Sequence, residues 1–251
     1  MDNGNVTVSI ANNIATIEFY HPKSNSLPGA ILKKLADTIT ETGKNSEAKI
    51  IILKSGGEKA FCAGASFDEL VAITDFNTGK KFFLGFAYVI NAIRTCPKFV
   101  ISRIQGKVVG GGVGIASASD YALAHQSSSI KLSELAIGIG PFVVGPAVER
   151  KIGTGAFSTL SIDADWRTAK WTKQYGIYKD IYETHDQLDQ AVSLLAKRLA
   201  SFSSEAMADM KKVLWEGTEH WDELLEKRAE ISGRLVLTEH TKNAIAQFKA
   251  K

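Results

Sequence analysis

Apolar and polar residues alternate along Val6–Ile10 and again along Ile14–Tyr20, with Ala11-Asn12-Asn13 between them. A period of two predicts a β-hairpin, since alternate side chains of a strand face opposite sides and Asn accepts turn backbone. After Pro28 the period lengthens, and Ile31, Leu32, Leu35 and Ile39 fall on one face of a helix. Ile50–Leu53 is a continuous apolar run, suited to a strand buried on both faces, and Gly56-Gly57 ends it. A helix is expected from about Gly79 to Thr95, then strands at Phe99–Ile104, Tyr121–Ala124 and Ser129–Leu132. From about Val143 the pattern turns helical. Gln187–Leu199, Ser204–Trp215, Glu219–Leu235 and Thr238–Phe248 carry helical periodicity, with Ser204 and Thr238 as N-caps. Strands alternating with helices, closed by a helical tail, predict an α/β fold with a core over 1–195 and a C-terminal helical region over 196–251.

Composition narrows the class. The chain has 251 residues, 45% hydrophobic and 23% charged, with a formal net charge of +3. That balance suits a globular protein, and without a Lys/Arg-rich run it argues against nucleic acid as a partner. Two cysteines, Cys62 and Cys96, are too few for a disulfide framework and lack metal-ligand spacing, so no metal site is expected. The polar start MDNGNVTVSI does not look like a signal peptide, and no apolar run reaches transmembrane length. A cytoplasmic location without membrane partners is therefore expected.

Chemistry gathers where small residues meet the ends of strands. Ala63-Gly64-Ala65 and Gly110-Gly111-Gly112 would each let backbone approach a ligand closely. A helix starting after the triple glycine would aim free N–H groups at that ligand, and two such loops side by side would make an oxyanion hole. Such a Gly-rich strand-to-helix turn is by itself more often tight packing or a phosphate cradle. The two loops lack, however, the Gly-x4-Gly-Lys-Ser/Thr and dinucleotide signatures, and no Gly-x-Ser-x-Gly elbow occurs.

Five segments together resemble the crotonase (enoyl-CoA hydratase/isomerase) family in order and spacing. They are His21–Leu27, Ala60–Ala65, Gln105–Gly112, Ser119-Asp120 and Leu132–Ile139. The resemblance implies repeated ββα turns wound into a superhelix, a C-terminal helical trimerisation region, and assembly as a homo-trimer or hexamer. It implies an acyl-CoA thioester as partner, with coenzyme A part of the substrate and no separate cofactor. By position, the oxyanion hole would be the N–H groups of Ala65 and Gly111. Substrate would run past Lys23, Asn25, Ser26, Leu27, Ala63, Gly64, Ser66, Phe67 and Gly110, with Pro141 and Phe142 lining the acyl pocket. Phe248 and Lys249 resemble residues that hold the nucleotide end.

One departure bears on the reaction. Family hydratases carry two glutamates; the second corresponds to Glu134, but the first falls on Gly114. A single base suits a 1,3-proton shift, because one carboxyl can remove a proton and return it elsewhere. Hydration stays open: Gly112–Ile115 with Leu132–Glu134 also resembles bacterial methylglutaconyl-CoA hydratases, and Asp68 or Glu69 could supply a second acid. A non-catalytic CoA-binding or scaffolding protein is the alternative from another class. Asp120 is read as structural, tying backbone near the triple glycine, Cys62 as a buried filler, and Phe82, Phe83, Phe86 and Tyr88 as core, subunit contact or acyl-pocket wall.

Overall fold

A computed structural model describes residues 4–249 in backbone and 4–247 in side chain. It opens with the expected hairpin, β1 (Asn5–Ala11) antiparallel to β2 (Ile14–Tyr20). Asn12 and Asn13 turn it at φ 52° and 62°, the left-handed pair that matches the twist of a two-residue hairpin loop. Then α1 (Gly29–Lys44) buries Ile31, Leu32, Leu35 and Ile39, the face predicted from their spacing.

The next three turns repeat one plan. Strands β3 (Ile50–Ser55) and β4 (Ala60–Cys62) lead through the short α2 (Phe67–Val71) to α3 (Phe76–Thr95). Strands β5 (Phe99–Ile104) and β6 (Lys107–Val109) lead to α4 (Gly111–Ala118). Strands β7 (Tyr121–His125) and β8 (Ser129–Lys131) lead through a 3₁₀ turn, Leu135–Ile137, to α5 (Gly145–Ile162). Each turn gives its first strand to one sheet and its second to another, and the chain coils as a superhelix of ββα units. Parallel pairings β3–β5–β7 and β4–β6–β8 fix the coil's register.

Here the sequence reading needs correction. The stretch after Val143 is not purely helical: β9 (Arg167–Thr168) joins the four-stranded sheet β4-β6-β8-β9, and β10 (Asp180–Tyr182) completes the six-stranded sheet β1-β2-β3-β5-β7-β10. Strands of two and three residues carry too few side chains to show a period. They flank α6 (Ala169–Gln174), and α7 (His185–Ala200), α8 (Ser204–Leu214), α9 (Trp221–Leu235) and α10 (Glu239–Lys249) follow. Ser203, not Ser204, caps α8, accepting the Ala206 N–H. Thr238 does cap α10 through the Thr241 N–H.

The six-stranded sheet is covered on both sides, which explains the uninterrupted apolar run in β3. Ile51 and Leu53 face the main core with α1 and α3, whereas Ile50 faces a second cluster with Leu188, Val192 and Leu195 of α7. Among the described residues, no helix is long and apolar enough to cross a membrane.

Candidate active site

The site is built where β4, β6 and β8 end. Leu27 N–H donates to Gly64 O and Ser66 N–H to Leu27 O, so the 63–66 loop is pinned as a short parallel bridge. In that arrangement the Ala65 N–H lies outside the bridge, and no partner for it occurs among the described residues. Gly110 N–H donates to Lys131 O, and α4 begins at Gly111, one residue into the triple glycine rather than after it. As the first residue of a helix, Gly111 has no intrahelical acceptor for its N–H, and none from elsewhere occurs among the described residues. Gly110 sits at φ 53°, ψ −116°, a backbone closed to residues with a side chain.

Glu134 stands against this turn. Its Oε1 lies 3.0 Å from the point where a Cβ on Gly110 would be, so the absence of that atom lets the carboxylate reach the strand-to-helix junction. The turn that carries it is held twice. Ile137 and Ile139 N–H groups both donate to Glu134 O, and Thr241 Oγ1 of α10 donates to Gly138 O. Although the residue as a whole is only half-buried, its Oε2 is shut off from solvent and has no hydrogen-bond partner. That burial raises its pKa from 4.5 to about 7, outweighing the opposing pull of the Glu134 and Ser133 backbone N–H groups.

A cavity of about 740 Å³ opens in front of Glu134. Of the residues singled out from the sequence, Ser26, Ala63, Gly64, Ala65, Phe67, Gly110, Gly111, Glu134, Pro141 and Phe142 line it. So do Phe82, Phe83 and Phe86, whereas Tyr88 is half-exposed at the surface. Five others, Lys23, Asn25, Leu27, Ser66 and Gly114, do not line it. Lys23 is exposed and pairs with Asp68. Asn25 is buried as a loop brace, donating to Gly56 O and Ala60 O and accepting from His21 N–H. Leu27 is core, and Ser66 caps α2 through the Glu69 N–H. Phe248 and Lys249 lie in the last turn of α10, with side chains outside the described residues.

Gly114 is the most informative of the five. A Cβ there would stand 2.7 Å from Val144 Cγ1 and 3.0 Å from Ile90 Cδ1. A side chain at the place of the first family glutamate would therefore meet hydrocarbon at its first carbon, and Gly114 itself brings no carboxylate. Nor does α2 replace it: Asp68 pairs with Lys23, and Glu69 Oε2 accepts the Gly29 N–H at 2.9 Å. Among the described residues Glu134 is the only carboxylate lining the cavity.

Val144, Lys131 and Trp166 also line the cavity and were not foreseen. Only the alternation of Val109 and Lys107 on β6, read together with its pairing to β8, could have pointed to Lys131, and that pairing is a tertiary fact. Cys62 is fully buried, and its thiol pKa is pushed up to about 12 by desolvation, which makes it inert, as expected. Asp120 is structural but in a different place from that expected: Oδ2 accepts the Val100 N–H and the Lys211 ammonium.

Comparison with known proteins agrees with this architecture. A model of the family described as enoyl-CoA hydratase/isomerase matches residues 9–251. The short-chain-enoyl-CoA hydratase of Clostridium acetobutylicum is 27% identical over 254 residues, covering 100% of this chain and 97% of that protein. The trans-2-decenoyl-(acyl-carrier-protein) isomerase of Streptococcus mutans is 22% identical over 258 residues, with 100% and 97% covered. The crystal structure of an enoyl-CoA hydratase from Bacillus halodurans superposes with a TM-score of 0.90 at 22% identity, covering 96% of this chain and 99% of that one, a likeness of fold. By fold, motif order and full-length match, the chain belongs to the enoyl-CoA hydratase/isomerase family.

Proposed function

We propose that this enzyme moves a double bond along an acyl-CoA thioester, converting a 3-enoyl to a 2-enoyl chain, with Glu134 as its single acid/base. The observation that carries this reading is the pairing of one cavity carboxylate with a closed Gly114 site. The thioester oxygen would accept the Ala65 and Gly111 N–H groups. The Glu134 carboxylate then takes a proton from C2, and the electron pair spreads over a dienolate whose oxygen charge those two amides stabilise. The resulting carboxylic acid gives the same proton to C4, leaving the double bond conjugated with the carbonyl. Charge and protons balance without a cofactor, since CoA arrives with the substrate.

A carboxyl with a pKa near 7 serves both halves of this cycle. It is ionised often enough to start and acidic enough to finish. The aromatic wall of Phe82, Phe83 and Phe86, with Pro141 and Phe142, supports a short or branched acyl chain by excluding water from the dienolate.

The test is absorbance of the conjugated enoyl thioester, with 3-hexenoyl-CoA, crotonyl-CoA and 3-methylglutaconyl-CoA offered in parallel. The band should appear from the first and persist in the other two. Its loss from either of the latter would mean hydration, and would require a second acid, which no other carboxylate on the described cavity wall supplies.

A further inference from the structure

Lys131 lines a largely apolar cavity, and among the described residues it has no counter-ion. Neither it nor Lys107 forms an ion pair or a side-chain hydrogen bond among the described residues. The two stand over the same indole: Lys107 Nζ is 5.3 Å and Lys131 Nζ 5.8 Å from the Trp166 ring centroid. The strand register produces this cluster. Val109 pairs with Lys131 across β6 and β8, and Ile130 pairs with Arg167 across β8 and β9. One antiparallel step further sets Trp166 beside Lys131. The nearby acids are engaged elsewhere: Asp163 pairs with Arg167, and Asp165 accepts the Trp166 N–H.

Two cations within 6 Å of one ring centroid repel each other, and the ring quadrupole offsets only part of that repulsion. An anion placed between them would be held by both and shielded from water by the indole.

We infer that Lys131, Lys107 and Trp166 form a subsite for a carboxylate carried by the acyl chain, making dicarboxylic acyl thioesters the preferred substrate class. The inference rests on the reading of the cavity as a thioester site. The acyl end is favoured over the CoA phosphates by position: Lys131 and Trp166 line the same cavity as Glu134, Pro141 and Phe142, the residues assigned to the acyl chain.

Calorimetric titration of the full chain with glutaryl-CoA and pentanoyl-CoA isolates the carboxylate, because the two saturated acyl chains are similar in length. A charge-assisted contact predicts a preference for glutaryl of about ten-fold or more, shrinking with added salt. In Lys131→Met the ratio should fall to about one, and in the exposed Lys107→Met it should fall part of the way. The second variant carries the test if the first does not fold. Equal binding of both ligands by the wild type would overturn the subsite while leaving the thioester site standing. An equal loss of both ligands in Lys131→Met would assign the lysine to CoA phosphate and overturn it too. Failure of either ligand to bind at all would remove the thioester reading, and this inference with it.

Discussion

At the scale of single residues, the chemistry turns on one carboxyl and one missing side chain. Burial, not a partner, raises the pKa of Glu134, and that leaves a signature in stability as well as, for the proposed reaction, in rate. Its folded pKa of about 7 lies above the ordinary 4.5, so between those values the native state holds a proton that the unfolded chain has lost. Stability from this group is therefore present at acid pH and falls as pH rises toward 7, by about 3 kcal/mol in all. Denaturant melts from pH 4.5 to 8 should show that decline in the wild type and a flatter profile in Glu134→Gln. Superimposable profiles would mean the carboxyl is not desolvated. The same ionisation predicts that kcat/KM rises with pH and levels off above an apparent pKa near 7.

Gly114 shows where residue-level reading stops. The sequence reveals a lost carboxylate but not what fills its place, because Val144 and Ile90 arrive from other elements. The proximity of Lys131 and Trp166 is not legible in the sequence for a similar reason: thirty-five positions separate them, and only the antiparallel β8–β9 pairing brings them together.

Among elements, local periodicity was enough for the long ones. The β1–β2 hairpin, α1, α3 and α7 follow from their own residues, since each has a face of four or more apolar side chains. The strands that close the two sheets, β9 and β10, are set by their neighbours and were invisible. So was the connection that seats α8. Lys211, with its side chain 2% exposed, donates to Lys98 O and to Asp120 Oδ2 at 2.8 Å each, while Asp120 also accepts the Val100 N–H. One ion pair thus ties α8 to the start of β5 and to the chain leaving α4. Lys211→Met should cost about 3–5 kcal/mol, because it strands a buried carboxylate, and adding Asp120→Asn should restore part of the loss. A single variant as stable as the wild type in urea melts would show that α8 is held by its apolar contacts alone.

For the whole molecule, the superhelix explains why such distant segments form one site. Successive ββα turns stack the ends of β4, β6 and β8 side by side, which brings loops near residues 64, 110 and 134 to one wall. The family resemblance made that architecture legible before any pairing was known. The resemblance also raises an expectation of trimers or hexamers, and Leu194 of α7 with Met210, Val213 and Leu214 of α8 are more than half exposed in the isolated chain. Light scattering on the purified protein should give three or six copies; a monomer at micromolar concentration would leave those side chains without a cover.

The most direct measurement is the rate at which the conjugated thioester band appears from 3-hexenoyl-CoA at pH 8, wild type against Glu134→Gln. If Glu134 carries the proton from C2 to C4, the variant should lose at least about a hundred-fold while still binding the thioester. A variant within a few-fold of the wild type would contradict the assignment, and the proton would then have to travel by a group other than the one carboxylate that lines the cavity among the described residues.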